Sequence, residues 1–272
     1  MVPAFAPGLS GASYLTNSMT AETTTPPAAP AQASGPLFYR EPLPLQSDKH
    51  ANWRLRPGSL AFAAETNAIP AVIGEFGMAA QHFPILFTGQ DASPIVAVGL
   101  SRSNLFVNDG KWADDTYAPA YLRRYPFVFM QSDEDGNFLL ALDGGSDQVN
   151  KGESDDGEPL FVDGKATELV DNAMKFCADF TREYEQTRQF SAALLAQDLL
   201  VERSIDVTLS NGEKMSVNGF HVVDVEKFAQ LPDDIVLAWH RNGWLALVHP
   251  HLTSLARFNA LVKRQSEQAK AA

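Results

Sequence analysis

Positive charge is scarce in this chain and cysteine is nearly absent. The 272 residues hold 21 Lys and Arg against 33 Asp and Glu, a formal net charge of −12. Phosphate backbones and anionic lipid heads are bound by neutralising them, so this deficit argues against nucleic acid as a partner. Cys177 is the single cysteine. No internal disulfide can form, which fits a reducing compartment without excluding export of a disulfide-free protein. Long apolar runs are missing as well: the longest, Ile95 to Leu100, falls far short of the ~18 residues a membrane helix needs, so no membrane insertion is expected. No Lys or Arg precedes Arg40, and prolines interrupt the apolar residues before it. An ordinary secretory signal is therefore not expected, and that lack points to synthesis and residence in the cytoplasm. The motifs GxGxxG, GxxxxGK[ST], GxSxG, HExxH and CxxC do not occur. Nucleotide, acyl-transfer and zinc chemistry thus have no signature here, and neither a catalytic residue nor a cofactor is assigned.

What is present is the composition of a folded protein, with 45% hydrophobic and 10% aromatic residues. Residues 1–35 differ. They are rich in Pro, Ala, Thr and Ser, with Glu22 the one charge, and bury too little apolar surface to offset ordering entropy, so a disordered tail is expected. Met19 is an alternative start to Met1. Residues 36–272 are expected to form one domain. Short β-rich runs at Ile69–Ile73, Phe83–Thr88, Ile95–Leu100, Leu105–Val107, Pro126–Met130, Phe138–Leu142 and Leu160–Val162 are separated by Gly, Pro, Asn and Asp. They predict an antiparallel or mixed sheet. The segment "GEFGMAAQH" predicts a short helix weakened by Gly74 and Gly77.

From about Ala166 to Leu200 the spacing predicts one long amphipathic helix, with Leu169, Ala173, Phe176, Phe180, Glu183/Tyr184, Thr187, Phe190 and Leu194 on one face. Cys177 lies beside that face as a packed small hydrophobe, since no histidine is near it in sequence to activate the thiol. The stretch "IDVTLSNGEKMSV" predicts a hairpin. Cross-strand partners share a face, which selects a three-residue Ser210–Asn211–Gly212 loop pairing Val207 with Met215 and Ile205 with Val217, with Gly212 left-handed. Asp224 is expected to cap a short helix through Leu231. Strands are expected at Ile235–Trp239 and Trp244–Val248 around the turn "HRNG". A C-terminal helix is expected to begin at Pro250, with Leu252, Leu255, Phe258 and Leu261/Val262 inward. The fold class is α+β.

Three constellations invite a functional reading. In "YLRRYPFVFM", Arg123 and Arg124 stand before an apolar run. They tie loop carbonyls and carboxylates at a strand junction, or receive an anion such as a peptide carboxylate. Tyr125, held extended by Pro126, belongs with them as a binding candidate. Trp112 is a further binding candidate, because an exposed cluster among Trp53, Trp112, Trp239 and Trp244 would mark an interaction face. "HPH" supplies His249 and His251, the best metal candidates if the segment is extended, though a helix starting at Pro250 turns the rings apart. Between Asp133 and Asp163, ten acidic residues face Lys151 alone. They read as solvated turns or, alternatively, a calcium site outside the EF-hand pattern.

The blocks "PAYLRRYPFVF", "GEPLFVDGKATE", the long helix, "NGFHVVDVEKFAQL" and "GWLALVHPHLTSLARFNAL", in that order from roughly Leu37 to Leu261, resemble the bacterial SapC family. Matching positions include Pro119, Arg123, Tyr125, Pro126, Pro159, Gly164, Gly219, Gly243, His251 and Ser254. Sequences of that family often show Tyr-Ala-His where this chain has His249-Pro250-His251, which weakens His249 as a ligand. The resemblance implies a part in a paracrystalline surface layer and serum resistance, or a place beside outer-membrane receptor systems, and carries no catalytic residue over. An unrelated permease sharing the name does not fit a chain without membrane spans. The expectation is a non-enzymatic protein of surface-layer or envelope-related assembly that binds a protein or peptide of the envelope, associated with the cell surface. The rival is a metal-assisted enzyme acting on peptides or envelope components, which requires histidines converging with a carboxylate. A self-associating surface subunit, a homo-oligomer, is the third expectation.

Overall fold

The structure, a computed structural model, describes residues 35–131, 137–209, 212 and 214–271. The tail expected at the N-terminus lies outside these residues, apart from Gly35. The larger sheet has five antiparallel strands in the order Leu200–Thr208, Lys214–Val223, Ile85–Thr88, Ser93–Ala97 and Ala68–Pro70. Its first two strands form the expected hairpin, with Val207 opposite Met215 and Ile205 opposite Val217. Gly212 has φ 87°, the left-handed geometry that glycine adopts without steric cost. Loop positions 210 and 211 lie outside the described residues. Further along, the register shifts between Arg203 and Ile205, where Gly219 at φ 77° lets one strand carry an extra residue as a bulge.

A second, three-stranded antiparallel sheet places Phe138–Asp143 between Pro42–Pro44 and Phe127–Gln131. Its end is anchored by Asp143, which is fully buried. That carboxylate accepts the backbone N–H of Arg40, Glu41 and Gly145 and the hydroxyl of Tyr125. A buried carboxylate is tolerable only when its lone pairs are filled this way.

The long helix spans Glu168–Ala196, with Glu168 and Asp171 in its first turn, where carboxylates suit the helix dipole. Val170 and Cys177 pack with Phe127, Leu142 and Leu160 in a small core. Phe180, Phe190 and Leu194 enter the main core over the five-stranded sheet. One helix therefore bridges both sheets. Tyr184, expected inward, is 45% exposed.

The segment after Leu231 corrects the sequence reading. Ile235–Trp239 and Trp244–Val248 are not strands: the first lies in helix Asp233–Arg241, and the second is the N-cap Trp244 and the start of helix Leu245–Ser254. A continuous apolar run of five satisfies either period, and the decisive signals are local. Pro232 precedes Asp233 and Asp234 in a first turn, a favourable helix start. The turn "HRNG" is that helix's C-terminus. Gly243 (φ 75°) donates to the carbonyl of His240 and Trp244 to that of Trp239, the two bonds of a Schellman motif. Pro250 sits inside the second helix, whose buried face is Val248, His251 and Ser254, and the last helix is Phe258–Ala271. Asp224 caps Val225–Ala229 as expected, accepting from the amides of Glu226 and Lys227.

Candidate binding cleft

Pro119 opens the short helix Ala120–Arg124. Successive residues on a helix diverge by about 100°, so its two arginines part company. Arg123 stays exposed and structural. Its Nε donates to the carbonyl of Ala118 at 3.0 Å and its guanidinium to the hydroxyl of Tyr117 at 2.9 Å, with the ring of Phe176 beneath it. Tyr117 in turn donates to Glu75 at 2.9 Å. The buried Glu75 also accepts the amides of Ala120 (2.8 Å) and Val72 (3.0 Å), so one carboxylate fastens the start of the arginine helix to the chain leaving the outer strand Ala68–Pro70. Burial raises the pKa of Glu75, while its three donors and Arg123 work against that rise. Burial, then the charge of Glu75, pushes Tyr117 up to about 12.

Arg124 turns the other way. Its guanidinium lies 4.3 Å from the ring centroid of Phe180, 4.6 Å from Tyr121 and 5.7 Å from Tyr39. Its Nε is buried without an acceptor. Among the described residues no carboxylate comes within ion-pair distance of it. Burial raises the pKa of Tyr121, and the neighbouring Arg124 offsets part of that. Arg124 thus presents a half-buried cation in an aromatic box, with no carboxylate at ion-pair distance among the described residues.

That box forms part of a cleft of about 770 Å³ where the outer strands of the two sheets approach the long helix. Pro70 and Ile95 come from the larger sheet, Val128 and Phe129 from the smaller, Tyr184 and Leu195 from the helix, and Leu37 from the N-terminal side. Leu37, Tyr184 and Leu195 are each more than 40% exposed. Asp91 and Arg188 also line it, but Arg188 is paired with Glu185 at 3.1 Å. A shallower groove continues past Phe129 to Phe138, whose rings stack at 5.9 Å. Apolar side chains thus line both the cleft and the groove beside it.

The other sequence candidates have structural employment. Tyr125 is buried and donates to Asp143 at 2.9 Å; burial foremost pushes it up to about 12. Trp112 packs on Phe106 and Phe83 and donates its indole N–H to the carbonyl of Tyr117. The expected exposed tryptophan cluster is not there. Trp239 and Trp244 pack edge to face against each other and around Phe190, and Trp53 lies between His50 and Lys151. Around the cleft and its adjoining groove, the exposed large apolar side chains are Leu37, Tyr184, Leu195 and Phe138.

His249 and His251 share a helix and point apart. His249 is exposed and edges the ring of Phe228 at 6.2 Å. His251 is fully buried, and both its ring nitrogens are engaged by backbone: Nδ1 with the carbonyl of Ile85 at 2.9 Å, Nε2 with the amide of Val223 at 3.0 Å. Burial lowers its pKa to about 4, so the ring is neutral, donating from Nδ1 and accepting at Nε2. Among the described residues no three His, Cys, Asp or Glu side chains are placed to hold one ion. In the acidic segment, Asp155 pairs with Arg54 at 3.2 Å and Asp156 with Arg56 at 3.0 Å, and Asn150 organises the loop through the carbonyls of Ser154 and Asp156. Residues 132–136 of that segment lie outside the described residues. Cys177 is 1% exposed, and burial pushes its thiol up to about 11.

Sequence reasoning singled out Arg124 but missed Phe129, Phe180, Tyr184 and Leu195 as its surroundings. The one available signal was Tyr184, an amphipathic side chain at an inward position of the helix. No described helix is long and apolar enough to cross a membrane. A comparison with protein families matches residues 45–261 to the model described as SapC. No curated protein and no solved structure matches.

Proposed function

This chain belongs to the SapC family, and from that premise we propose that it works by binding a protein or peptide partner in surface-layer or envelope-related assembly, not by catalysis. The observation that carries this reading is the cleft under the long helix, open, largely apolar and walled by a cation that has no carboxylate at ion-pair distance among the described residues. Burying an unpaired charge costs stability, and a residue that imposes that cost is more readily explained by a ligand than by the fold. Large exposed side chains at Tyr184 and Leu195 beside it supply the apolar area from which interfaces draw their affinity. His251, a metal candidate from sequence, is spent on backbone instead, and the buried carboxylates Glu75 and Asp143 are spent on hydrogen-bond networks.

Site-specific photocrosslinking in living cells tests the reading. A benzophenone side chain at position 184 or 195 is expected to yield a discrete adduct with one envelope protein, identified by mass spectrometry. The same group at position 225, also exposed but absent from the cleft lining, is expected to yield none. Adducts of equal yield from all three positions, or none from any, would remove the cleft as the working surface.

A further inference from the structure

Two features of the cleft wall are left over after packing is accounted for. One is Arg124, whose aromatic neighbours attract it without neutralising it. The other is the outer edge of strand Phe127–Gln131. The amide of Asp143 donates to the carbonyl of Pro126 at 2.9 Å, and the register pairs Val128 with Ala141 and Met130 with Leu139. Residues 126, 128 and 130 therefore bond to the middle strand, and 127 and 129 turn their backbone groups outward. The carbonyl of Phe127 is taken by the hydroxyl of Tyr39. Among the described residues the amide and carbonyl of Phe129 have no such partner, and this residue lines the cleft. An open strand edge is a template for an added strand.

Charge narrows the ligand further. The protein's net charge of −12 and Asp91 on the cleft wall repel a run of acidic residues, while a single carboxylate gains more from Arg124 than it loses. Building on the binding reading above, we propose that the cleft receives the C-terminal segment of a partner polypeptide in extended form. Its terminal carboxylate pairs with Arg124, its backbone adds to the edge at Phe129, and its apolar side chains lie against Leu37, Tyr184 and Leu195. Arginine suits this role because its planar fork meets a carboxylate in two parallel bonds.

The test screens the purified full chain against a synthetic octapeptide library with free C-termini and the same library amidated. Enrichment is expected from the free-carboxylate library, with amidation of a selected peptide weakening it about tenfold or more, as for loss of one charge-assisted pair. An Arg124→Gln variant, its fold checked by circular dichroism, is expected to weaken binding equally, and Arg123→Gln to leave it unchanged. If Arg124→Gln fails to fold, the amidation comparison decides alone. Equal binding of amidated peptides, or full retention by folded Arg124→Gln, overturns this site while leaving peptide binding standing. Enrichment from neither library overturns the site and the binding reading together. Displacement of selected peptides by a tighter-binding long-chain fatty acid overturns it in favour of an acyl ligand.

Discussion

Val223 donates its amide to Nε2 of His251 at 3.0 Å, inside what would otherwise be a continuous sheet. Extending the Phe87–His221 pairing by two residues sets Ile85 opposite Val223. There the imidazole closes the ladder in place of the backbone, taking the Ile85 carbonyl with Nδ1. Ser254, one turn on, accepts the Ile85 amide at 2.9 Å. The helix that was read as a metal-ligand segment is a wedge between two central strands, and its histidine is a structural bridge.

Replacing His251 by Ala at neutral pH is expected to cost about 3–5 kcal/mol, from the lost hydrogen bonds and the cavity together. Urea unfolding at pH 7.5 measures it.

The same residue makes stability depend on pH. Its folded pKa, about 4, lies below the ordinary value of about 6.5, so the unfolded chain takes up the proton first. The contribution is complete above pH 6.5 and falls as the pH drops from there to about 4, by about 3 kcal/mol in all. Urea midpoints from pH 7.5 to 4 are expected to show that fall in the wild type. In His251→Asn, compared over the same range, this component is expected to be missing.

Cys177 is expected to be inert. With its thiol buried and pushed up to about 11, thiolate is negligible at pH 8. A disulfide reagent such as DTNB is expected to modify no thiol in the native protein at pH 8 and one per chain in guanidinium. Rapid native labelling would show that the small core around the helix opens.

Arg124 and Glu75 are expected to differ in what they contribute to stability. Arg124→Met removes an unpaired, half-buried charge and keeps the apolar stem, so the net change is expected to stay within about 1 kcal/mol, cation–π loss offsetting relief from the unpaired charge. Glu75→Ala strips the partner from two backbone amides and the Tyr117 hydroxyl and is expected to cost about 3 kcal/mol. With the Glu75 charge gone, the pKa of Tyr117 is expected to fall from about 12 toward its ordinary value, read by ultraviolet titration of the folded variant.

Local chemistry was legible in the sequence wherever one side chain or one period decided the outcome. The Val207–Met215 register followed from face sharing, the Asp224 cap from its residue type, and the long helix from its apolar spacing. Ile235–Trp239 was misread because five adjacent apolar residues carry no period, and the Pro232–Asp233–Asp234 start was the signal to weigh. The site was half legible. Arg124 stood out as a basic residue at a strand junction, but its aromatic box needs Tyr39, Tyr121 and Phe180, which are far apart in the chain and meet only through the fold. His251 looked like a ligand for the converse reason: its two backbone partners are 166 and 28 residues away in sequence.

Backbone amide shifts of the isotopically labelled chain, followed while a selected peptide with a free C-terminus is added, test the account most directly. It predicts perturbations centred on Leu37, Arg124, Phe129, Tyr184 and Leu195, with hydrogen exchange at the Phe129 amide slowed. Perturbations centred on the His249 helix or the Asn150 loop, with the cleft unmoved, would contradict it.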